Sequence, residues 1–275
     1  MSPADLEAFC EGTPDEIAAR PDWAEFHEAF LAALEAGSVT AAVRGVDGTW
    51  NAVPWVKRGI LAGFKAAPVV PFPAWPGGAR DKASYPPREI SEADGVRMVP
   101  GGSSVRRGAC LGRGVVVMPP AFVNVGAWIG DGTMVDSHAL VGSCAHIGTR
   151  VHLSAGAQVG GVLEPAGARP VVVEDGAFVG ALAALLEGVV VRERAVIAPG
   201  TILSAGVPIH DLVNGRVLRG EVPPGAVVVP GSRPAPGDYA ARSGILLAAP
   251  CIVKYRDAKT EADRKSTRLN SSHRI

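Results

Sequence analysis

From Val99 to Val159 every sixth residue is aliphatic, and after a break at GGVLEPAGARPVV the rhythm resumes from Val173 to Ile209. Four places after each of these falls a small or β-branched residue, as at Ala109, Ala127, Thr133, Ala139 and Ala157. A period of six fits neither a helix, at 3.6, nor a lone amphipathic strand, at 2, so the unit is a repeat.

Such a repeat builds a parallel β-helix. Each hexad supplies a short strand and a corner, and three hexads close one triangular coil. The aliphatic residue points inward and stacks on its counterpart one coil away. The small residue sits where the chain turns. A last fragment of the pattern stands at Val222 and Val228. Coils of this kind bury one continuous core and need capped ends. Hexapeptide β-helices as a fold family wind left-handed, against the usual crossover rule. The expected fold is therefore mainly β: a left-handed parallel β-helix with a helical N-terminal domain and a short C-terminal cap. The expected divisions are residues 1–95 helical or mixed, 96–235 β-helix and 236–264 cap. Within the last stretch DAKTEADR reads as the start of a charged helix, and 265–275 as a foreign or disordered tail without a role in function.

Composition agrees. Glycine (34) and proline (23) are abundant among 275 residues and aromatics make up only 5%, which suits short strands and tight turns. The 27 basic and 27 acidic side chains cancel, so neither nucleic acid nor a membrane surface is expected as the main partner. Cys10, Cys110, Cys144 and Cys251 are widely spaced and form no CxxC pair, which argues against structural zinc and a disulfide framework. The opening MSPADLEAFCEGTPDE lacks the layout of a signal peptide, and no apolar run is long enough to span a bilayer. A soluble, cytoplasmic protein is the expectation.

Before the repeat, Asp22 is placed to cap a helix carrying Trp23, Phe26, Phe30 and Leu34 on one face, with Gly37 as its stop. Asp47-Gly48 marks a turn between short strands, Trp55 to Phe64 suggests a second helix, and APVVPFPAWPGGAR reads as a link.

The stretch 134–161 holds His138, His146, His152, Cys144 and Asp136. None of the histidines replaces an inward aliphatic. His146 and His152 are one hexad apart, hence on adjacent faces, so a shared metal is not expected. His138 is conceivable as a general base, by analogy with hexapeptide-repeat acyltransferases that use a histidine at a subunit boundary. The bland reading of all three, and of Cys144, is decoration of the frame. Asp136 differs. It follows inward Val135 where other hexads have Gly112, Gly130, Gly142 or Gly148, and folding does not need a carboxylate there. It could take a hydrogen bond from an amine and help deprotonate it, or it could serve only the turn amides.

Two runs carry a resemblance: RMVPGGSSVRRGA, and MPPAFVNVGAWIGDGTMVDSHALVGSCAHIGTRVHLSAGAQVGGVLEP. Together with GEVPPGAVVVPGSRP, CIVKYRDAKT, FLAALEAGSVTAAVRGVDGTW and WVKRGILAGFK, they resemble the tetrahydrodipicolinate N-succinyltransferases over nearly the whole chain outside the tail. The resemblance implies a homotrimer with active sites between neighbouring subunits, working in the diaminopimelate route to lysine. It implies transfer of succinyl from succinyl-CoA, a co-substrate rather than a bound cofactor, to the amino group of L-2-amino-6-oxopimelate. Asp136, in the family's MVD motif, would contact that amine. Arg97, just before VPGG, would bind the dicarboxylate, with Ser143 of VGSCA beside the substrate. A forked cation suits a carboxylate, and a nucleophilic amine must shed a proton.

One segment departs from the family. Where members read GARSEVVEG, residues 180–188 read GALAALLEG, so the family's arginine, serine and first glutamate fall on Leu182, Ala183 and Ala184, while Glu187 is kept. For CoA, the small residues Ala198, Gly200, Ala205 and Gly206 would admit a pantetheine arm, with Lys254, Arg216 or Arg219 for phosphates. A corner role for the small residues and solvation for the charges is the alternative. Two rival functions remain: a CoA-dependent acetyltransferase on a related small amine, and a β-helix binding subunit weakened in catalysis. A carbonic-anhydrase-like β-helix would need convergent histidines, and the sequence presents no clear set.

Overall fold

The structure is a computed structural model describing residues 1–75 and 78–256, so all of DAKTEADR and the 265–275 tail lie outside the described residues. From Arg97 onward the chain winds into a parallel β-helix of two-residue strands. The first face of the prism stacks Arg97–Met98, Val116–Val117, Met134–Val135, His152–Leu153, Phe178–Val179, Val196–Ile197 and Ala226–Val229. The second runs from Ser104–Val105 to Ile202–Leu203, and the third from Cys110–Leu111 to Glu221–Val222. The second residue of each strand points inward. Val117, Val135, Leu153, Val179 and Ile197 are fully buried, as is the small column represented by Ala145, Ala157 and Ala177. Burial of each such aliphatic side chain stabilises by about 2 kcal/mol, and the stack repeats that gain at every rung. Thr133, one of two buried threonines at the small positions, donates to the Gly148 carbonyl (2.8 Å) and accepts from the Val151 amide (3.0 Å).

Two expectations about the rhythm need correction. Val99 is not the first inward residue, because Met98 pairs with Val117 and Arg97 with Val116. The first turn carries one residue more than a regular turn such as Val135 to Leu153, taken up at Gly101 and Gly102 with φ of 145° and 93°. The slip reverses the facing of this strand, because alternation has period two. At the other end Ile209 is buried but leaves the coil. It belongs to a hairpin, Pro208–Asp211 with Arg216–Arg219, and Val222 takes the place opposite Val191. By contrast, the break after Val159 leaves the register intact, since Val173 pairs with Ile147.

Cys251–Tyr255 closes the top of the first face, antiparallel to Ala226–Val229 and parallel to Pro208–Asp211. Buried Asp211 ties this end together, accepting from Tyr255 Oη (2.7 Å), Arg216 Nε (3.0 Å) and Asn214 Nδ2 (2.8 Å). A short helix, Asp238–Ser243, precedes this closing strand.

Among the described residues the N-terminal block holds four α-helices: α1 (Pro3–Phe9), α2 (Pro14–Ala18), α3 (Trp23–Glu35) and α4 (Pro54–Ala66). The first two were not foreseen, although Ser2 with Asp5 and Thr13 with Glu16 form capping boxes. Asp22 precedes α3 as expected but makes no side-chain cap bond. The supposed link contains a hairpin, Val69–Phe72 with Ala79–Lys82. Phe9, Phe26, Phe30, Ile60 and Tyr85 form this block's core, which also takes in Val125 and Cys144 of the coil. The hairpin Ala42–Arg44 with Trp50–Ala52 lies over the third face, where Trp50 Nε1 donates to Glu174 (2.8 Å) and Arg192 reaches the Gly48 carbonyl (2.8 Å).

Candidate active site

The corners of the coil differ from rung to rung in the room they leave. At the third-to-first corner a Cβ on Gly112 would meet Asp131 at 2.4 Å, and one on Gly148 would meet Asp175 at the same distance. At the second-to-third corner a Cβ on Gly142 would lie 2.1 Å from the Gly161 amide. Glycine at these places is a demand of close packing. Other rungs of those two corners carry side chains, as at Glu174, Arg192, Asn124 and Leu186, and at the first-to-second corner the equivalent positions hold Met118, Asp136, Ser154, Gly180 and Ala198, each donating its amide to the next rung. Asp136 therefore stands in a corner column that admits side chains at several rungs, although a Cβ on Gly180 in the same column would lie 2.5 Å from the Pro199 nitrogen.

The Asp136 side chain is 30% exposed. One oxygen accepts the Ser137 amide at 2.7 Å, so the turn-serving role is real. The other lies 3.9 Å from Nε2 of His152, which stands on the adjoining rung of the first face and is 28% exposed. Above Asp136 the edge is lined by small residues, Ser154, Gly180 and Ala198, over three rungs, about 14 Å at β spacing. Gly200 belongs to the same edge, and a Cβ there would meet nothing within 4 Å.

The other expected site residues are distributed around the prism. Arg97 is exposed and shares the first face with His152, two rungs below the Met134–Val135 strand. Ser143 sits at the second-to-third corner, buried, with its carbonyl accepting the Val162 amide at 3.3 Å. Ala205 and Gly206 lie on that same edge, exposed, and the Gly206 carbonyl accepts from Arg219. Lys254 is exposed on the closing strand, paired with Val227. One chain thus brings Asp136, Ala198 and Gly200 to one edge and Ser143, Ala205 and Gly206 to another, with the second face between them. The divergent segment spans the same face: Leu182 is 73% exposed at the first-to-second edge, and Ala184 points outward between Gln158 and Ile202.

The loop after Val159 is anchored where it leaves the coil. Fully buried Lys57 of α4 donates to the Ala168 carbonyl, and Arg169 Nε donates to that of Gly188 (2.9 Å).

The remaining reactive types divide by environment. Burial pushes the Cys144 thiol up to about 12, far from the thiolate a nucleophile needs. His146 stacks on Trp128 at 4.4 Å beneath Trp50, and burial lowers its pKa to about 4. His138 is exposed at the corner after Asp136, with φ 61°. Among the described residues, no three His, Cys, Asp or Glu side chains gather as a metal would require. Sequence reasoning missed the approach of His152 to Asp136. The coil length held the signal: with 18 residues per turn, position 152 faces outward one rung above 134, beside the corner that follows it.

The coil places the chain among hexapeptide-repeat proteins, and the comparisons narrow the class. The chain is 42% identical over 250 residues to a 2,3,4,5-tetrahydropyridine-2,6-dicarboxylate N-succinyltransferase from Afipia carboxidovorans, covering 88% of this chain and 87% of that protein. Proteins of the same name from Aromatoleum aromaticum (45% over 238 residues, 84% of each chain) and a Methylobacterium species (42% over 273 residues, 95% and 96%) are similarly close. In fold, it resembles a crystal structure of a Campylobacter jejuni chain described as a 2,3,4,5-tetrahydropyridine-2-carboxylate N-succinyltransferase. That match has a TM-score of 0.51 at 18% identity and covers 82% of this chain but 62% of the other. No protein-family model matches. The chain belongs to the 2,3,4,5-tetrahydropyridine-2,6-dicarboxylate N-succinyltransferase family.

Proposed function

We propose that the protein transfers the succinyl group of succinyl-CoA to the amino group of ring-opened tetrahydrodipicolinate, L-2-amino-6-oxopimelate, in the diaminopimelate route to lysine. The observation that carries the chemistry is Asp136, a partly exposed carboxylate at a corner of the coil, beneath a run of small residues. The amine must lose a proton as it attacks the thioester carbonyl, and the free oxygen of Asp136 is placed to accept it. The small edge above gives an extended pantetheine arm room to lie close against the backbone, with the thioester lowest, near Asp136. Arg97 offers a fork for a substrate carboxylate. No covalent enzyme intermediate is needed, in keeping with the deep burial of Cys144.

The site is proposed to be completed between subunits of a homotrimer, which accounts for the division of the expected residues between two edges. In such an assembly the edge carrying Asp136 of one subunit meets the edge carrying Ser143 and the 160–171 loop of the next. A cytoplasmic setting follows from the co-substrate. Among the described residues no helix is long and apolar enough to cross a membrane.

The test is thiol release from succinyl-CoA and from acetyl-CoA, each with tetrahydrodipicolinate, for wild type and Asp136→Asn. Succinyl-CoA should be preferred, and Asp136→Asn should lower turnover by about 10²- to 10⁴-fold. Acetyl preference would replace the assignment with an acetyltransferase, and no turnover with either donor would indicate a binding subunit. A monodisperse monomer in solution would refute the inter-subunit site.

A further inference from the structure

We propose that His152 is the positioning partner of Asp136, forming with it a carboxylate–imidazole dyad that holds the proton released by the attacking amine. The inference rests on the role given to Asp136 above. Its basis is a coincidence of two exceptions. In the outward column of the first face, the rungs around His152 carry Val116, Met134, Phe178 and Val196, all apolar. In the neighbouring corner column, Asp136 is the one acidic residue among Met118, Ser154, Gly180 and Ala198. Neither side chain is required by the repeat, yet the two stand one rung apart with Nε2 3.9 Å from Oδ2. The ring is held from its other side by Phe178, tilted against it at a centroid distance of 5.2 Å. The opposite carboxylate oxygen is fixed by the Ser137 amide. Both groups are therefore restrained with their polar atoms converging, and both remain partly open to solvent.

At 3.9 Å the contact is electrostatic and longer than a hydrogen bond. Catalytic hydrogen bonds are commonly long before substrate binds and tighten afterwards. A carboxylate alone is a poor resting place for an amine proton, whereas an imidazole ordinarily titrates near neutrality. In the step itself the amine nitrogen attacks the thioester carbonyl carbon. A C–N bond forms as the C–S bond breaks. The N–H proton passes to Asp136 Oδ2 and is shared with His152 Nε2, until the departing thiolate takes it up as CoA thiol. Atoms and charge balance with no further reactant.

The experiment is a double-mutant cycle on the full-length protein, with Asp136→Asn and His152→Gln assayed for kcat and KM with both substrates, alongside thermal melts. Glutamine keeps a hydrogen-bond donor at that place but cannot exchange a proton at neutral pH. His152→Gln should lower kcat about 10²-fold with both KM values within about two-fold. Adding it to Asp136→Asn should change kcat by less than about two-fold. If His152→Gln proves unstable, the shorter His152→Asn gives the same readout. Wild-type kcat in His152→Gln beside an impaired Asp136→Asn would overturn the dyad and leave Asp136 its role. Independent, multiplicative losses would overturn it equally. Full activity of Asp136→Asn would instead remove the parent assignment.

Discussion

The first and third faces of the coil are built from the same hexad, and each carries a histidine at the same outward position: His146 on the third, His152 on the first. Their surroundings have little in common. His146 lies flat against Trp128 at an interplanar angle of 7°, with Trp50 of the N-terminal hairpin over it. His152 has Phe178 to one side and the Asp136 carboxylate to the other. The repeat supplies equivalent positions, and what is laid over a face decides whether a residue there is packed away or left partly exposed. On the third face the N-terminal block, fastened by Glu174, Trp50 and Arg192, makes a packed interior. The first face keeps an open flank.

Three experiments press on that contrast. The core below the two faces should not share it. Ile147→Ala and Leu153→Ala, both at fully buried inward positions, should each cost about 2–5 kcal/mol in urea unfolding. A cost confined to one of them would mean that the faces differ in their packing as well as in their cover.

The third face should show its burial in acid. His146 has its folded pKa lowered from 6.5 to about 4, so the unfolded chain binds more protons between those values. The stability gained by keeping His146 neutral is present above pH 6.5 and is lost as pH falls toward 4. The full loss is about 3 kcal/mol. His146→Phe should flatten this part of the stability–pH curve relative to wild type, and parallel curves would remove the difference between the two faces.

The smallest effect is expected at Cys144. With its thiol raised to about 12 and its side chain buried, it should resist a thiol reagent at neutral pH in the native protein and react only on unfolding. Labelling at the native rate of an exposed thiol would mean that the corner joining coil and N-terminal block opens.

The stacked coil was legible because a single period repeats at every rung and each inward aliphatic announces itself. What departed from the period was not. The extra residue at Gly101–Gly102 leaves the aliphatic count apparently intact, since Val99 merely happens to stand where an inward residue is due. Ile209 likewise keeps step in sequence while the chain has already left for a hairpin. The capping boxes at Ser2 and Thr13 were present to be read, but the helices they open are short and their apolar residues few. For the site, Asp136 was recognisable as a residue the fold does not need. His152 escaped because its relation to Asp136 runs between rungs, so that local motifs do not register it.

The two glycines after Pro100 have a consequence for a residue they never touch. With a turn of ordinary length Val99 would face inward, Met98 would face outward and Arg97 would begin a different alternation. The added residue turns Met98 to the core and sends Arg97 out onto the face that carries His152. The bearing of that guanidinium is set by arithmetic along the main chain before its own rotamer has any say. Deleting Gly102 would leave Arg97 in the sequence and turn its side chain toward the core instead.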